Sequence, residues 1–192
     1  TMDAYSAEYL GSTEVYGERI APFGADALTV NGYLGTDGIE PALKTGGSIF
    51  VLVKTSNKSS GELQDRRLCD GKTIYETMGD MCEKWGEKYM GSYGYSAVGA
   101  VVGATYPAML AEMREKLPHT FFLVPGYGAQ GGGAEGVAKG FDENGLGAIV
   151  NSSRAIMCAY KKEGCDEHDY AGAARREALR MKEDITSHIP AI

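Results

Sequence analysis

VPGYGAQGGG, Val124 to Gly133, follows the apolar run Phe121 to Leu123 and carries five glycines in ten residues. Glycine lets successive backbone N–H groups converge on one anion, and Gln130 adds a side-chain donor able to reach a phosphate and a heterocycle. A plain surface turn rarely needs so many glycines. A second loop, NSSRAI, Asn151 to Ile156, leaves the apolar run that starts at Gly147 and enters a helix. Ser152 and Ser153 offer hydroxyl and backbone donors there, and Arg154 offers a bidentate grip. An Arg in the first turn of a helix opposes the helix dipole unless an anion compensates it, so this placement points to a bound phosphate.

Outward from these loops the chain alternates apolar runs with helical patterns. Strands are expected over Ala25 to Asn31, Ser48 to Thr55, Tyr95 to Gly103, His119 to Pro125 and Gly147 to Asn151. SIFVLVKT (48–55) is continuously apolar up to its lysine, as parallel strands covered on both faces are. One helix is expected over Met2 to Ile20, stopped by Pro22, and another over Gly35 to Leu43, with Thr36 and Asp37 at its start and Asp37 as a cap. Ser56 to Gly61 reads as a loop. Further helical periodicities cover Lys72 to Met90, Pro107 to Leu117, Ala134 to Phe141, Ser152 to Tyr160 and Tyr170 to Ile185. A helix followed by five strand–helix units implies right-handed crossovers and a parallel sheet, in one domain over residues 1–192.

The position of the glycine loops decides between two parallel architectures. A dinucleotide fold carries its glycine fingerprint after the first strand, whereas here the phosphate-type loops follow the last two, where (β/α)8 barrels hold phosphate. The expected fold is α/β, a (β/α)8 TIM barrel of which this chain supplies the last five strands and their helices.

Composition narrows the partners. The net charge of −7, from 26 acidic and 19 basic residues without a basic block, argues against a nucleic-acid groove or an anionic membrane surface. Apolar runs such as Ser96 to Thr105 fall far short of the roughly 20 residues of a membrane span, and a charged-then-apolar leader is not visible, so a soluble cytoplasmic protein is expected. Glycine, 27 of 192 residues, is about twice its usual share and clusters where apolar strands end, which assigns the excess to ligand loops and tight turns. Cys69, Cys82, Cys158 and Cys165 form no C-x-x-C pair and stand with only three histidines. They read as free thiols in a reducing compartment, and no metal site is expected. His119 precedes a strand, and His168 and His188 lie in a polar tail, so none is assigned to catalysis.

Taken together, ADALTVNGYLGTDGIEP (25–41), FVLVKTSN (50–57), YSAVGAVVGATYP (95–107), FFLVPGYGAQGG (121–132) and GAIVNSSRAI (147–156) closely resemble the orotidine 5'-phosphate decarboxylase family, in its longer bacterial subgroup. Gly32 departs from the pattern, which has proline after VN. The resemblance implies decarboxylation of orotidine 5'-phosphate to UMP in pyrimidine biosynthesis, without metal or organic cofactor, at the top of a homodimeric barrel. It implies that Gln130 and Arg154 hold the phosphate, that Ser153 and Arg154 add backbone N–H groups with Gly131 in the facing loop, and that Thr105 contacts the pyrimidine. Asn31 and Lys54, at the ends of the first two of these five strands, point into the same mouth, as ligand shell or as support for neighbouring loops.

In the family a Lys-Asp-Lys-Asp array lies mostly in a D-x-K-x-x-D motif, one Asp coming from the other subunit. Residues 1–192 contain no such motif, so no catalytic residue is assigned in this chain. The array is expected upstream of Thr1, in an amino-terminal part of the same protein without which the fragment is inactive. Thr1 is then the threonine of the D-I-x-x-T that comes after the motif, approaching the ligand of the other subunit. Two other readings stand beside this one. Another phosphate-binding barrel, such as a sugar-phosphate isomerase or aldolase, needs a base or Schiff-base lysine, for which Lys54 is the only lysine at a strand end. A non-catalytic phosphate-ligand-binding or assembly module on a TIM-barrel remnant needs none.

Overall fold

The structure is a computed structural model that describes residues 1–21, 23–128, 132–165 and 167–190. The first helix, α1 (Met2–Tyr9), is shorter than expected. It gives way to a hairpin of β1 (Thr13–Val15) and β2 (Glu18–Ile20), with Val15 opposite Glu18. Tyr16 and Gly17 form its turn, at φ 54° and 82°. Two consecutive residues at positive φ match the twist of a two-residue hairpin, and β-branched Thr13 and Val15 suit the strand, so Met2 to Ile20 cannot continue as one helix. Pro22, expected to end it, lies outside the described residues.

The remainder keeps the expected order. After β3 (Ala27–Val30) come α2 (Thr36–Lys44), β4 (Ser48–Lys54) and α3 (Ile74–Gly86). Asp37 sits in the first turn of α2 and the cap position is Gly35, so the aspartate faces the helix dipole without capping by hydrogen bond. Next are β5 (Val98–Val102), α4 (Pro107–Lys116), β6 (Phe122–Pro125), α5 (Ala134–Ala138) and β7 (Ala148–Asn151). The helix expected over Ser152 to Tyr160 is broken at Cys158 into α6 (Ser153–Met157) and α7 (Ala159–Glu163), and α8 (Tyr170–Thr186) ends the fold.

The five longer strands form one sheet in the order β3-β4-β5-β6-β7, every neighbouring pair parallel. Chain order equals spatial order throughout. A doubly wound sheet reverses direction at a switch point, and this one never does, which makes it an arc of a β/α barrel. Along β4 alternate residues are buried: Ile49, Val51 and Val53 pack with Val98, Ala100, Val102, Phe122 and Val124 against Ile39, Leu43, Cys82, Leu110 and Met113 of the helices. Each such side chain contributes about 1.5–3 kcal/mol on burial, which is what holds the helical layer to the sheet. The opposite face, with Phe50, Leu52, Leu123 and Ile149, is the barrel interior.

One irregularity bears on the site. Leu52 pairs with Val101, but Lys54 pairs with Val102, so Val53 is an extra residue in β4. Strict alternation puts Lys54 in the interior with Phe50 and Leu52; the bulge gives it the parity of Val102, whose side chain lies in the helix-facing core.

Candidate functional site

The carboxyl ends of β4 to β7 are stitched together by backbone bonds. Gly103 N–H donates to the Lys54 carbonyl at 2.8 Å, and Ala104 N–H to the Pro125 carbonyl at 3.0 Å. Beyond β6 the chain turns at Gly126 (φ 106°) and Gly128 (φ 80°), a backbone region that side chains strongly disfavour. Gly128 N–H donates to the Gly132 carbonyl at 3.0 Å, closing the loop. A Cβ on Gly132 would lie 2.9 Å from the Ala104 methyl, so only glycine lets the loop fold down onto the end of β5. Gln130 and Gly131 lie outside the described residues.

Beyond β7 the buried Ser152 hydroxyl donates to the Tyr127 carbonyl at 3.0 Å, tying the second loop to the first. Ser153 and Arg154 come next, both exposed in the first turn of α6. A cleft of about 150 Å³ opens between the loops, lined by Ser56, Gly126, Tyr127, Asn151, Ser153 and Arg154 among others. Arg154 also borders an outer cleft of about 360 Å³, with Lys162 and Arg180. Arg180 is held by both oxygens of Glu177, at 2.7 and 2.8 Å. Arg154 has no carboxylate within ion-pair distance among the described residues. Three cations around one carboxylate give this corner a local positive field on an acidic chain. Tyr127 anchors the first loop from below: its hydroxyl donates to Asp184 of α8, and burial, then that bond, raise its pKa above the usual phenol value.

Of the other expected site residues, Thr105, Asn31 and Lys54 lie at strand ends, and Thr1 lies before α1. Thr105 lies just beyond β5, and its Oγ1 is buried with no hydrogen-bond partner. Asn31 ends β3 and accepts from Tyr33 N–H at 3.0 Å, capping the turn Gly32–Leu34. Thr1 is exposed, and its carbonyl accepts from Tyr5 N–H at 3.1 Å. Lys54 is 1% exposed, and its ammonium donates to Asp65 at 2.6 Å and Ser60 at 3.2 Å. Ser56 and Tyr127, and on the outer side Lys162 and Arg180, escaped the sequence reading. The first two had a usable signal, since both lie within a few residues of a strand's carboxyl end; the last two meet Arg154 only through the packing of α7 and α8.

Among the described residues no group of three or more His, Cys, Asp or Glu is arranged to hold a metal ion, and no helix is long and apolar enough to cross a membrane. All four cysteines are free thiols, and burial pushes the Cys82 thiol well above the usual range.

Comparison with known proteins bears on the same segments. Residues 11–164 match the family described as Orotidine 5'-phosphate decarboxylase / HUMPS. The chain is 46% identical to the orotidine 5'-phosphate decarboxylase of Rhodopirellula baltica over 193 aligned residues, covering 96% of this chain and 63% of that protein. It is 44% identical to the Caldicellulosiruptor bescii protein of the same name, covering 96% of this chain and 61% of that one. Among solved structures, Leishmania donovani OMP decarboxylase superposes with a TM-score of 0.72 at 30% identity, over 96% of this chain and 63% of that one. The chain thus spans somewhat under two thirds of these relatives. With a parallel arc in barrel order, glycine and arginine loops at the ends of its last two strands, and a match that runs through all five strands, the chain belongs to the Orotidine 5'-phosphate decarboxylase / HUMPS family.

Proposed function

We propose that the protein decarboxylates orotidine 5'-phosphate to UMP, and that this chain supplies the part of the site that holds the nucleotide. The observation that carries the reading is Arg154, a guanidinium at the strand-end mouth with no carboxylate partner among the described residues, which lines the 150 Å³ cleft together with Ser153, Gly126 and Tyr127. Arg154 and the backbone of Ser153 grip the phosphate, and Gln130 and Gly131 are assigned to it as further ligands. The unanswered Thr105 hydroxyl is available to the pyrimidine. Asn31 stands just beyond β3, and Thr1 approaches the ligand of the second subunit.

The chemistry of the step requires groups that residues 1–192 do not contain. A carboxylate beside the substrate carboxylate opposes the ground state, and a lysine ammonium stabilises and protonates the carbanion left at C6 as carbon dioxide departs. We therefore place these groups outside residues 1–192. The protein works as a cytoplasmic homodimer without a cofactor; Tyr33 and Leu34, 82% and 66% exposed on the capped turn beside Asn31, are the apolar surface offered to the second subunit.

The test uses full-length protein. Arg154→Ala is expected to weaken 6-aza-UMP binding by about 1.5–3 kcal/mol, the range for a charge-assisted pair. Unchanged affinity overturns the phosphate assignment. Tight binding without turnover of orotidine 5'-phosphate by the unaltered protein replaces the enzyme with a ligand-binding module.

A further inference from the structure

Lys54 is among the largest fully buried side chains, a charged one beside Phe, Ile, Leu and Met. A buried ammonium is costly to desolvate, and a leucine there would stabilise the core at least as well, so its retention calls for another role. Its contacts define one. Besides Asp65 and Ser60, it lies 5.6 Å from the Tyr75 ring centroid and 5.9 Å from that of Tyr106. The same loop is clamped next door: Gln64 accepts from Thr55 N–H at 3.0 Å and donates to the Thr55 hydroxyl at 2.9 Å. Lys54 thus joins three segments, the 55–65 loop, α3 through Tyr75, and the β5 end through Tyr106.

Two hydroxyls sit at the ends of those segments. Ser56 is two residues beyond Lys54 and rests against Gly103, where an added Cβ would come within 2.9 Å of the Ser56 Cβ. Thr105, with its unpartnered Oγ1, precedes Tyr106. Arg154 lies at the end of β7, two and three strands away from β5 and β4, with neighbouring strands about 4.8 Å apart. Ser56 lines the same cleft as Arg154, so a ligand held by its phosphate at Arg154 passes Ser56 and reaches toward Thr105 with its distal part.

We propose that Lys54 is a positioning residue that sets the spacing of the Ser56 and Thr105 hydroxyls and thereby the recognition of the base end of the ligand. This rests on the phosphate site assigned above. The β4 bulge at Val53 is the structural means, since without it Lys54 has the parity of the interior and cannot reach Asp65.

The experiment measures the binding of UMP and of ribose 5-phosphate, which shares the phosphate and lacks the base, to the full-length protein by calorimetry. Lys54→Met is expected to weaken UMP about tenfold, roughly one well-made hydrogen bond, and ribose 5-phosphate less than about twofold. Lys54→Arg restores most of the UMP affinity, because it keeps the cation and the reach to Asp65. Asp65→Asn alters only the half-exposed end of the pair and is expected to shift the two ligands in the same selective way, so it carries the test if Lys54→Met does not fold. Equal losses for both ligands, or no loss of UMP affinity, overturn the proposal. Arg154→Ala is the control for the underlying reading: it weakens both ligands alike, and if it weakens neither, the phosphate assignment fails while the Lys54 comparison remains interpretable.

Discussion

A buried hydroxyl without a partner costs stability unless a ligand answers it, and Thr105 Oγ1 is such a group. Thr105→Val removes the unsatisfied oxygen and keeps the shape. It is expected to raise unfolding stability by up to about 1 kcal/mol in the ligand-free protein while weakening UMP binding several-fold. Thermal melts with and without UMP check both at once; a variant that loses stability and keeps its affinity shows that the hydroxyl serves the fold. At this scale the sequence placed Ser153 and Arg154 at a strand-to-helix junction, where the structure has them, and their proposed hold on an anion rests on the conflict of an arginine there with the helix dipole. Ser56 carried a signal in its place just beyond a strand end, whereas the partner of Lys54 carried none, since it lies 11 residues away across a loop.

At the scale of elements, α3 was expected from periodicity over Lys72 to Met90, and a local cap that periodicity does not specify sets where it starts. Thr73 and Glu76 form a capping box: the Thr73 hydroxyl accepts from Glu76 N–H, and Thr73 N–H donates back to the Glu76 carboxylate at 2.8 Å. Lys116 of α4 adds an ammonium at 2.6 Å. Hydrogen bonds from Lys116 first, and then from Thr73, hold the Glu76 carboxyl down to about 2 from an ordinary 4.5. A carboxylate whose pKa is depressed in the folded state stabilises fully above the unfolded value, and that stability is lost as pH falls from about 4.5 to about 2. Glu76→Gln is expected to cost about 1 kcal/mol near neutral pH and to flatten the decline within that acid window. Urea melts across the window read both, and an unchanged acid limb removes Glu76 from the account. The β1–β2 hairpin is the counterexample. Tyr5, Tyr9, Tyr16 and Ile20 sit at spacings compatible with a helix, and the positive-φ turn at Tyr16 and Gly17 outweighs that pattern.

At the scale of the whole molecule, β3 and β7 each lack a neighbour on one side among the described residues. Ile149 is 52% exposed on β7, and an apolar groove of about 420 Å³ runs between β7 and α8, with Phe121, Phe141, Leu146, Met181 and Ile185 in its walls. Open strand edges beside apolar surface template association. The isolated 192-residue chain is therefore expected to bind a hydrophobic dye such as ANS and to self-associate, and extension to the full length of its relatives is expected to suppress both. Light scattering and dye fluorescence decide it; a monomeric, dye-silent chain contradicts an open arc. The base of the arc is closed by Arg114, which donates to the Leu117, Thr120 and Gly147 carbonyls and stacks 4.1 Å over Phe122. Burial lowers its pKa, and nothing in the spacing of residues 114 to 147 announces this plug.

Sequence alone determined the five strands, their parallel sense and the two glycine- and arginine-bearing loops at the ends of the last two, because each is set by local periodicity, glycine content and the connection each strand makes to the next. Tertiary structure decided which side chains meet. The bulge at Val53 turned Lys54 from the barrel interior to Asp65, and the packing of α7 and α8 brought Lys162 and Arg180 beside Arg154. Side-chain direction in a strand flips with a single extra residue, and contacts between distant helices depend on packing that no local pattern encodes.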